Sequence, residues 1–581
     1  MKLSINLIFT IIILTITLAL GLNPAYAKPS SKNQEEARYH FMCGSLYELS
    51  DNWDKAQKQY EAALKLDPDS AHLQMQIALM YLKNDKVNEA IKISEKAITL
   101  DPAYLPALKL LGQLYAAKDR EKDTINIYNK IIKLAPDDIN SYLFLASIYW
   151  AKKDTDSAFK LINTYVEKYP DSYIANYYLG LFYLDLKDTI NAEKYLLKAV
   201  ELNSKFYDAL LNLGIIEEGK GNKEEALKYF KRTLEESPIN LKAREKLSHI
   251  YIDNKDYKNA INELIVISKA LPDNADLHMR IGLLYMEDDK FDKAISELNT
   301  VKKLDSANVL SRYYLSLIYE SQEKFNEALI ELKELLFIEP TNINALIRTA
   351  FVYSEQKKYP EALNYYLEVL KQSSDNNLEK AEYFLYTAIT YVYLKEPQKA
   401  IECLNNGISK FPENDELYFN LAIAYDKINK FDETESSLKK AISLNPKHYD
   451  ALNYLGYSYA EKNIKLNEAL GLIKQAIALK PDSPFILDSL GWCYYKLGKY
   501  QDALTELQRA VEMTSDPVIF EHLGDTYIKL HKKNESLNAY KKSLKFYKDE
   551  EGLEQRVQNK IKDIMQNKKT MGTAPPNPAK H

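Results

Sequence analysis

A period of 34 residues runs through this chain from residue 37 and leaves little freedom in what it can become. Aligned on a small residue at the eighth position, fifteen repeats begin at 37, 71, 105, 139, 173, 207, 241, 275, 309, 343, 381, 415, 449, 484 and 517. The eighth position is Gly, Ala or Ser in all fifteen, from Gly44 to Gly524. The eleventh is Tyr in fourteen, with Glu217 the exception, and the twentieth is Ala in twelve. Leu455-Gly456, Tyr459, Ala469, Ala476 and Pro481 show the unit most clearly, and Leu490-Gly491, Tyr494, Ala503 and Ala510 repeat it 35 residues on. Small, aromatic and alanine positions three and four apart mark two amphipathic helices per repeat, closed by a proline turn. A side chain larger than a methyl group at the eighth position would hold the two helices apart. A helical hairpin this short cannot bury its own apolar face, so each must stack on its neighbours.

This pattern resembles the tetratricopeptide repeat from Ala37 to about Phe546. The resemblance implies an all-α, right-handed superhelical solenoid of about fifteen helix pairs, its first helices lining a concave groove that binds extended peptides or partner helices. A scaffold of this kind names no partner, because function resides in the groove residues.

Composition narrows the function further. Lys and Arg number 77 against 82 Asp and Glu, a net charge of −5 that offers no basic field to nucleic acid. Cys43, Cys403 and Cys493 fall in separate repeats, too far apart to staple anything, and read as packing residues. No HExxH, CxxC, GxSxG or phosphate-cradling glycine loop occurs, so we expect no catalytic residue, no metal ligand and no cofactor.

The ends differ from the repeats. Lys2, the uncharged apolar run Leu3 to Leu22, and Ala25-Tyr26-Ala27 make residues 1–27 a signal peptide, cut after Ala27. Left uncut, the same run would anchor the protein to a membrane. Either way the repeats are expected to be exported, in the periplasm or associated with the envelope. Residues 28–36 read as a polar lead-in, 37–372 as repeats 1–10, 373–380 as an insertion or hinge, and 381–549 as repeats 11–15. Leu553, Val557, Ile561 and Ile564 make 550–566 a capping helix, and 567–581 a disordered tail.

In the family this chain resembles, first-helix positions 2, 5, 9, 12 and 13 face the groove. Carried over residue by residue, these place Leu143, Trp150, Tyr177, Leu181, Leu211 and Ile215 on an apolar lining in repeats 4–6. Repeats 8–11 continue it with residues such as Met279, Phe351 and Ile389. Repeats 13–15 present Asn453, Tyr457, Asp488, Trp492, Tyr495, Glu521 and Asp525, aromatics and carboxylates that would suit a peptide or helix carrying basic and apolar groups.

The stretch from Leu452 to Leu544 resembles the C-terminal part of bacterial envelope repeat proteins. Among these are lipoprotein adaptors of a periplasmic C-terminal-processing protease, although this chain has no cysteine for lipid attachment near Ala27. The expected function is therefore a non-enzymatic exported scaffold or adaptor for protein or peptide clients. The alternative is a structural component of an exopolysaccharide or surface-appendage export apparatus.

Overall fold

The structure, a computed structural model, describes residues 32–547 and 552–570, with side chains placed as far as Gln566. The expected signal peptide, residues 28–31 of the lead-in and residues 571–581 of the tail lie outside them. Among the described residues the chain is all-α, with 31 helices and no strand. It divides into two compact bodies between Ala270 and Leu271, the first holding repeats 1–7 and the second repeats 8–15 with the last helix.

Each repeat is a helical hairpin, as in repeat 6, where Tyr207–Gly219 is followed by Lys223–Glu236. Most first helices start where a polar side chain satisfies free backbone donors. Ser70, Ser172, Asn240 and Asn308 each accept the backbone N–H three residues on.

The first helix ends the same way every time. The fifteenth position adopts the left-handed conformation in all fifteen repeats, with Gly only at Gly221 and Gly498. Asp, Asn, Lys, Glu or His fills it elsewhere, at φ between 53° and 64°. The next N–H then turns back to the carbonyl of the eleventh residue, as from Asn52 to Tyr47 at 2.9 Å and from Lys290 to Tyr285 at 2.8 Å. That bond closes the helix and aims the chain back along it.

The small eighth position meets the twenty-fourth residue of its own repeat. A Cβ added at Gly44 would lie 2.7 Å from the Tyr60 ring, and one at Gly214 would lie 2.6 Å from Phe230. Gly112 faces Tyr128 and Gly524 faces Tyr540 in the same way, so an aromatic ring on the second helix is matched by glycine on the first. Glu217, the exception at the eleventh position, is 9% exposed and takes Lys220 and Asn222, each at 2.8 Å. Lys220 and Asn222 hold its carboxyl below the usual range.

Layers of apolar side chains run from repeat to repeat inside each body. Leu108, Leu111, Ile131 and Leu145 pack together fully buried across repeats 3 and 4. Each such side chain contributes about 1.5–3 kcal/mol by leaving water.

Three boundaries differ from the sequence expectation. Lys32–Leu49 is one helix, so residues 32–36 are helical and not a lead-in. The second helix of repeat 10 continues into the 373–380 insertion, running Tyr359–Asp375 with Ser373 fully buried. Leu378 N then closes on Ser373 O at 2.8 Å, so the extra residues are taken up by helix and a capped turn. Repeat 13 runs one residue over the 34-residue period and takes up the addition at a second left-handed residue, Lys465, after Asn463. The capping helix is Leu553–Thr570, shifted from 550–566 and reaching into the expected tail.

Candidate protein-binding face

The expected lining of the N-terminal body is spent largely on stacking. Leu143 and Trp150 pack with Tyr142, Ile162 and Leu179, and the Trp150 and Phe182 rings lie 4.8 Å apart. Tyr177 stands edge-on to Phe206 at 4.9 Å, and burial pushes its phenol well above the usual tyrosine range. Leu211 is buried in a cluster with Phe230 and Leu247, and Ile215 packs against it. Leu181 is half-buried. Close packing between successive repeats consumes this apolar surface.

In the C-terminal body the first helices are Tyr449–Glu461, Pro484–Lys496 and Pro517–Lys529 for repeats 13 to 15. They bring the expected aromatics into one pile. The Trp492 ring stacks on Tyr495 at 4.7 Å and 5°, and on His522 at 4.0 Å and 15°. Tyr457 lies 6.5 Å from His522, ring centre to ring centre. The Trp492 indole N–H donates to Glu461 Oε2 at 2.6 Å. Trp492 is thereby only 8% exposed, a packed centre and not the free anchor expected from its register.

Asp488 lies beneath this pile, 7% exposed, with Oδ1 2.8 Å from His522 Nδ1. Burial works to lower the His522 imidazole, but the Asp488 carboxylate outweighs it and the histidine is held raised. Tyr495 is half-buried, its phenol pushed up to about 12 by burial. Asn453 and Tyr457 share the inner face of the repeat 13 helix, one turn apart. Asn453 Oδ1 is buried and meets no hydrogen-bond donor among the described residues.

The expected acceptors Glu521 and Asp525 are already engaged. Helix Leu553–Thr570 sends Arg556 Nη2 to Glu521 Oε2 at 3.0 Å and Lys560 Nζ to Glu521 Oε1 at 2.8 Å. Lys560 also reaches Asp525 Oδ2 at 2.7 Å, while Tyr540 donates to Asp525 Oδ1 at 2.5 Å. Glu521 is 4% exposed. Burial alone would raise its carboxyl, but Arg556 and Lys560 outweigh that and hold it below the usual range.

The register of the repeat missed three of these partners. His522, Arg556 and Lys560 complete the face together with Glu461, which stands at the thirteenth position of repeat 13, and Arg556 and Lys560 carried a signal: two cations four apart on the expected capping helix. Two of the three cysteines are inert by placement. Burial pushes the Cys403 thiol up to about 12 and Cys493 to about 11. Among the described residues no helix is long and apolar enough to cross a membrane.

Tetratricopeptide repeat profiles match this chain at residues 37–70, 71–104, 143–205, 191–240, 219–279, 275–308, 415–448 and 484–516. A TPR repeat-containing protein of Pseudomonas aeruginosa is similar, 32% identical over 121 residues, or 21% of this chain and 20% of the relative. The BBSome complex member BBS4 homolog of Drosophila melanogaster is 26% identical over 147 residues, 25% of this chain and 29% of its own. The chain therefore spans less than a third of the length of either relative. Among solved structures, the APC/C hetero-tetramer Cut9-Hcn1 aligns with 81% of this chain and 91% of its own at 16% identity and a TM-score of 0.34. Naa15/Naa10 bound to HypK-THB aligns with 93% of this chain and 98% of its own at 14% identity and a TM-score of 0.30.

Proposed function

We propose that this chain, which belongs to the tetratricopeptide repeat family, is a non-enzymatic scaffold that holds protein or peptide clients on the first-helix face of its C-terminal repeats. One observation carries the reading: Glu521 and Asp525 on that face already hold the cations of a second helix, Arg556 and Lys560, whose apolar stripe covers the end of the last hairpin. A surface that seats one amphipathic helix by charge and shape is built for protein contact. Asp450, exposed on the same register of repeat 13, and the unpaired Asn453 Oδ1 extend the acceptor chemistry beyond the seated helix. Export to the periplasm or envelope is part of the proposal, supported by Lys2, the run Leu3 to Leu22 and Ala25-Tyr26-Ala27.

Crosslinking the purified full-length chain in envelope extract is expected to recover discrete protein partners. The exposed substitution Asp450→Lys should reduce that recovery without changing the melting temperature. Recovery of no protein, or recovery indifferent to Asp450→Lys and to high salt, would sink the reading.

A further inference from the structure

We infer that helix Leu553–Thr570 is an internal occupant of a receptor face for basic amphipathic helices, and that a partner helix of the same chemistry displaces it. This rests on the protein-binding reading above and names its partner class.

The face dictates what can sit on it. Leu553 and Val557 are fully buried against Tyr540, and Ile561 and Ile564 continue that stripe half-buried. Arg556 and Lys560 make a second, cationic stripe one step around the same helix. Both stripes are required. The apolar one covers the end of the last hairpin, Lys533–Phe546, and the cationic one neutralises Glu521, whose side chain is 5% exposed. A neutral helix in its place would leave a buried carboxylate without a cation, which is strongly unfavourable. An acidic helix would be worse. The helix itself carries five Lys or Arg against one Glu and one Asp, so its partner-like character is not confined to the two contacts.

The charged contacts of the occupant lie at its solvent edge. Arg556 and Lys560 keep 54% and 33% of their side-chain surface exposed. Most of its advantage over a free helix is that it is tethered, at an effective concentration in the millimolar range. A partner helix therefore exchanges like contacts for like, and binds weakly until the tethered helix is weakened.

The probe is a fluorescent peptide with the sequence of Leu553–Thr570, titrated into the full-length chain. Reversing the tethered cations, Arg556→Glu with Lys560→Glu, is expected to raise the affinity for that peptide at least tenfold over wild type. Adding Glu521→Gln and Asp525→Asn to the same chain should remove the gain, and a peptide with both cations changed to Gln should not bind. Equal affinity of wild-type and charge-reversed chains, or a gain indifferent to Glu521→Gln and Asp525→Asn, overturns the inference. Should the charge-reversed chain fold poorly, hydrogen exchange on wild type decides. Amides of 553–566 must exchange faster as the peptide saturates, and unchanged exchange with the peptide bound overturns the displacement. If the peptide fails while crosslinked clients persist, only this inference falls; if both fail, the protein-binding reading falls with it.

Discussion

His522 Nδ1 stands 2.8 Å from Asp488 Oδ1, joining repeats 14 and 15 across 34 residues, one full period of the sequence. Both side chains are buried, and the imidazole lies against the Trp492 ring. A histidine placed so is a titrating rivet between two hairpins, with Glu521 and Asp525 adding to the field that keeps it charged.

Its proton makes stability depend on pH. The folded state binds it more tightly than the unfolded chain, whose histidine titrates near 6.5. The contribution is therefore whole below pH 6.5 and is lost as pH rises through the higher folded value. Thermal melts of wild type from pH 6 to 9 should show the C-terminal body losing stability upward. His522→Gln should flatten that slope; a slope unchanged by the substitution would contradict the assignment.

Trp492 should behave as a core residue. Trp492→Ala is expected to cost about 3–5 kcal/mol in urea denaturation, as for other buried aromatics. Trp492→Phe keeps a ring in the stack but leaves Glu461 without the indole N–H, for a loss of about 0.5–1.5 kcal/mol. A melting curve unmoved by the alanine variant would return Trp492 to the surface.

Two glycines of the same residue type should respond with opposite signs. Gly214→Ala drives a methyl group to 2.6 Å from the Phe230 ring and should destabilise by about 1–3 kcal/mol. Gly471, inside helix Leu466–Leu479, has nothing within 4 Å of an added Cβ. Gly471→Ala should therefore stabilise by about 0.5–1 kcal/mol through backbone entropy alone. Denaturant midpoints of both variants test the pair together.

Left-handed turns make a third pair. Lys255 holds φ at +57°, a conformation that costs an L-residue about 1–2 kcal/mol, so Lys255→Gly should gain up to about 1 kcal/mol. Gly498, at φ +75°, should lose a similar amount on substitution by Ala.

Thiol chemistry offers a quick check on packing. With Cys403 and Cys493 pushed up to about 12 and 11, a disulfide-exchange reagent at pH 8 should titrate no more than one of the three thiols in its fast phase. Rapid reaction of two or three would place the buried cysteines in solvent.

The all-helical fold was legible because its determinants are local. Gly44 and Tyr60, or Gly214 and Phe230, stand sixteen residues apart within one hairpin, so a 34-residue period displays them again and again. The left-handed fifteenth position was not legible, since Asp, Lys, Glu, Asn and His give no common residue signal for one backbone state. The binding face was read only in part. Register placed Tyr457, Asp488, Trp492, Glu521 and Asp525 on one wall, but said nothing of which of them the protein keeps for itself.

Sequence alone determined the hairpin and its period, because spacing of small, aromatic and proline residues acts over one or two helical turns. Tertiary structure alone decided that Trp492 is buried and that Glu521 is taken by Arg556 and Lys560, 35 and 39 residues away. Those contacts depend on how the last helix docks across a finished hairpin, and burial of Leu553 and Val557 together with the cost of leaving a buried charge unpaired settles that docking.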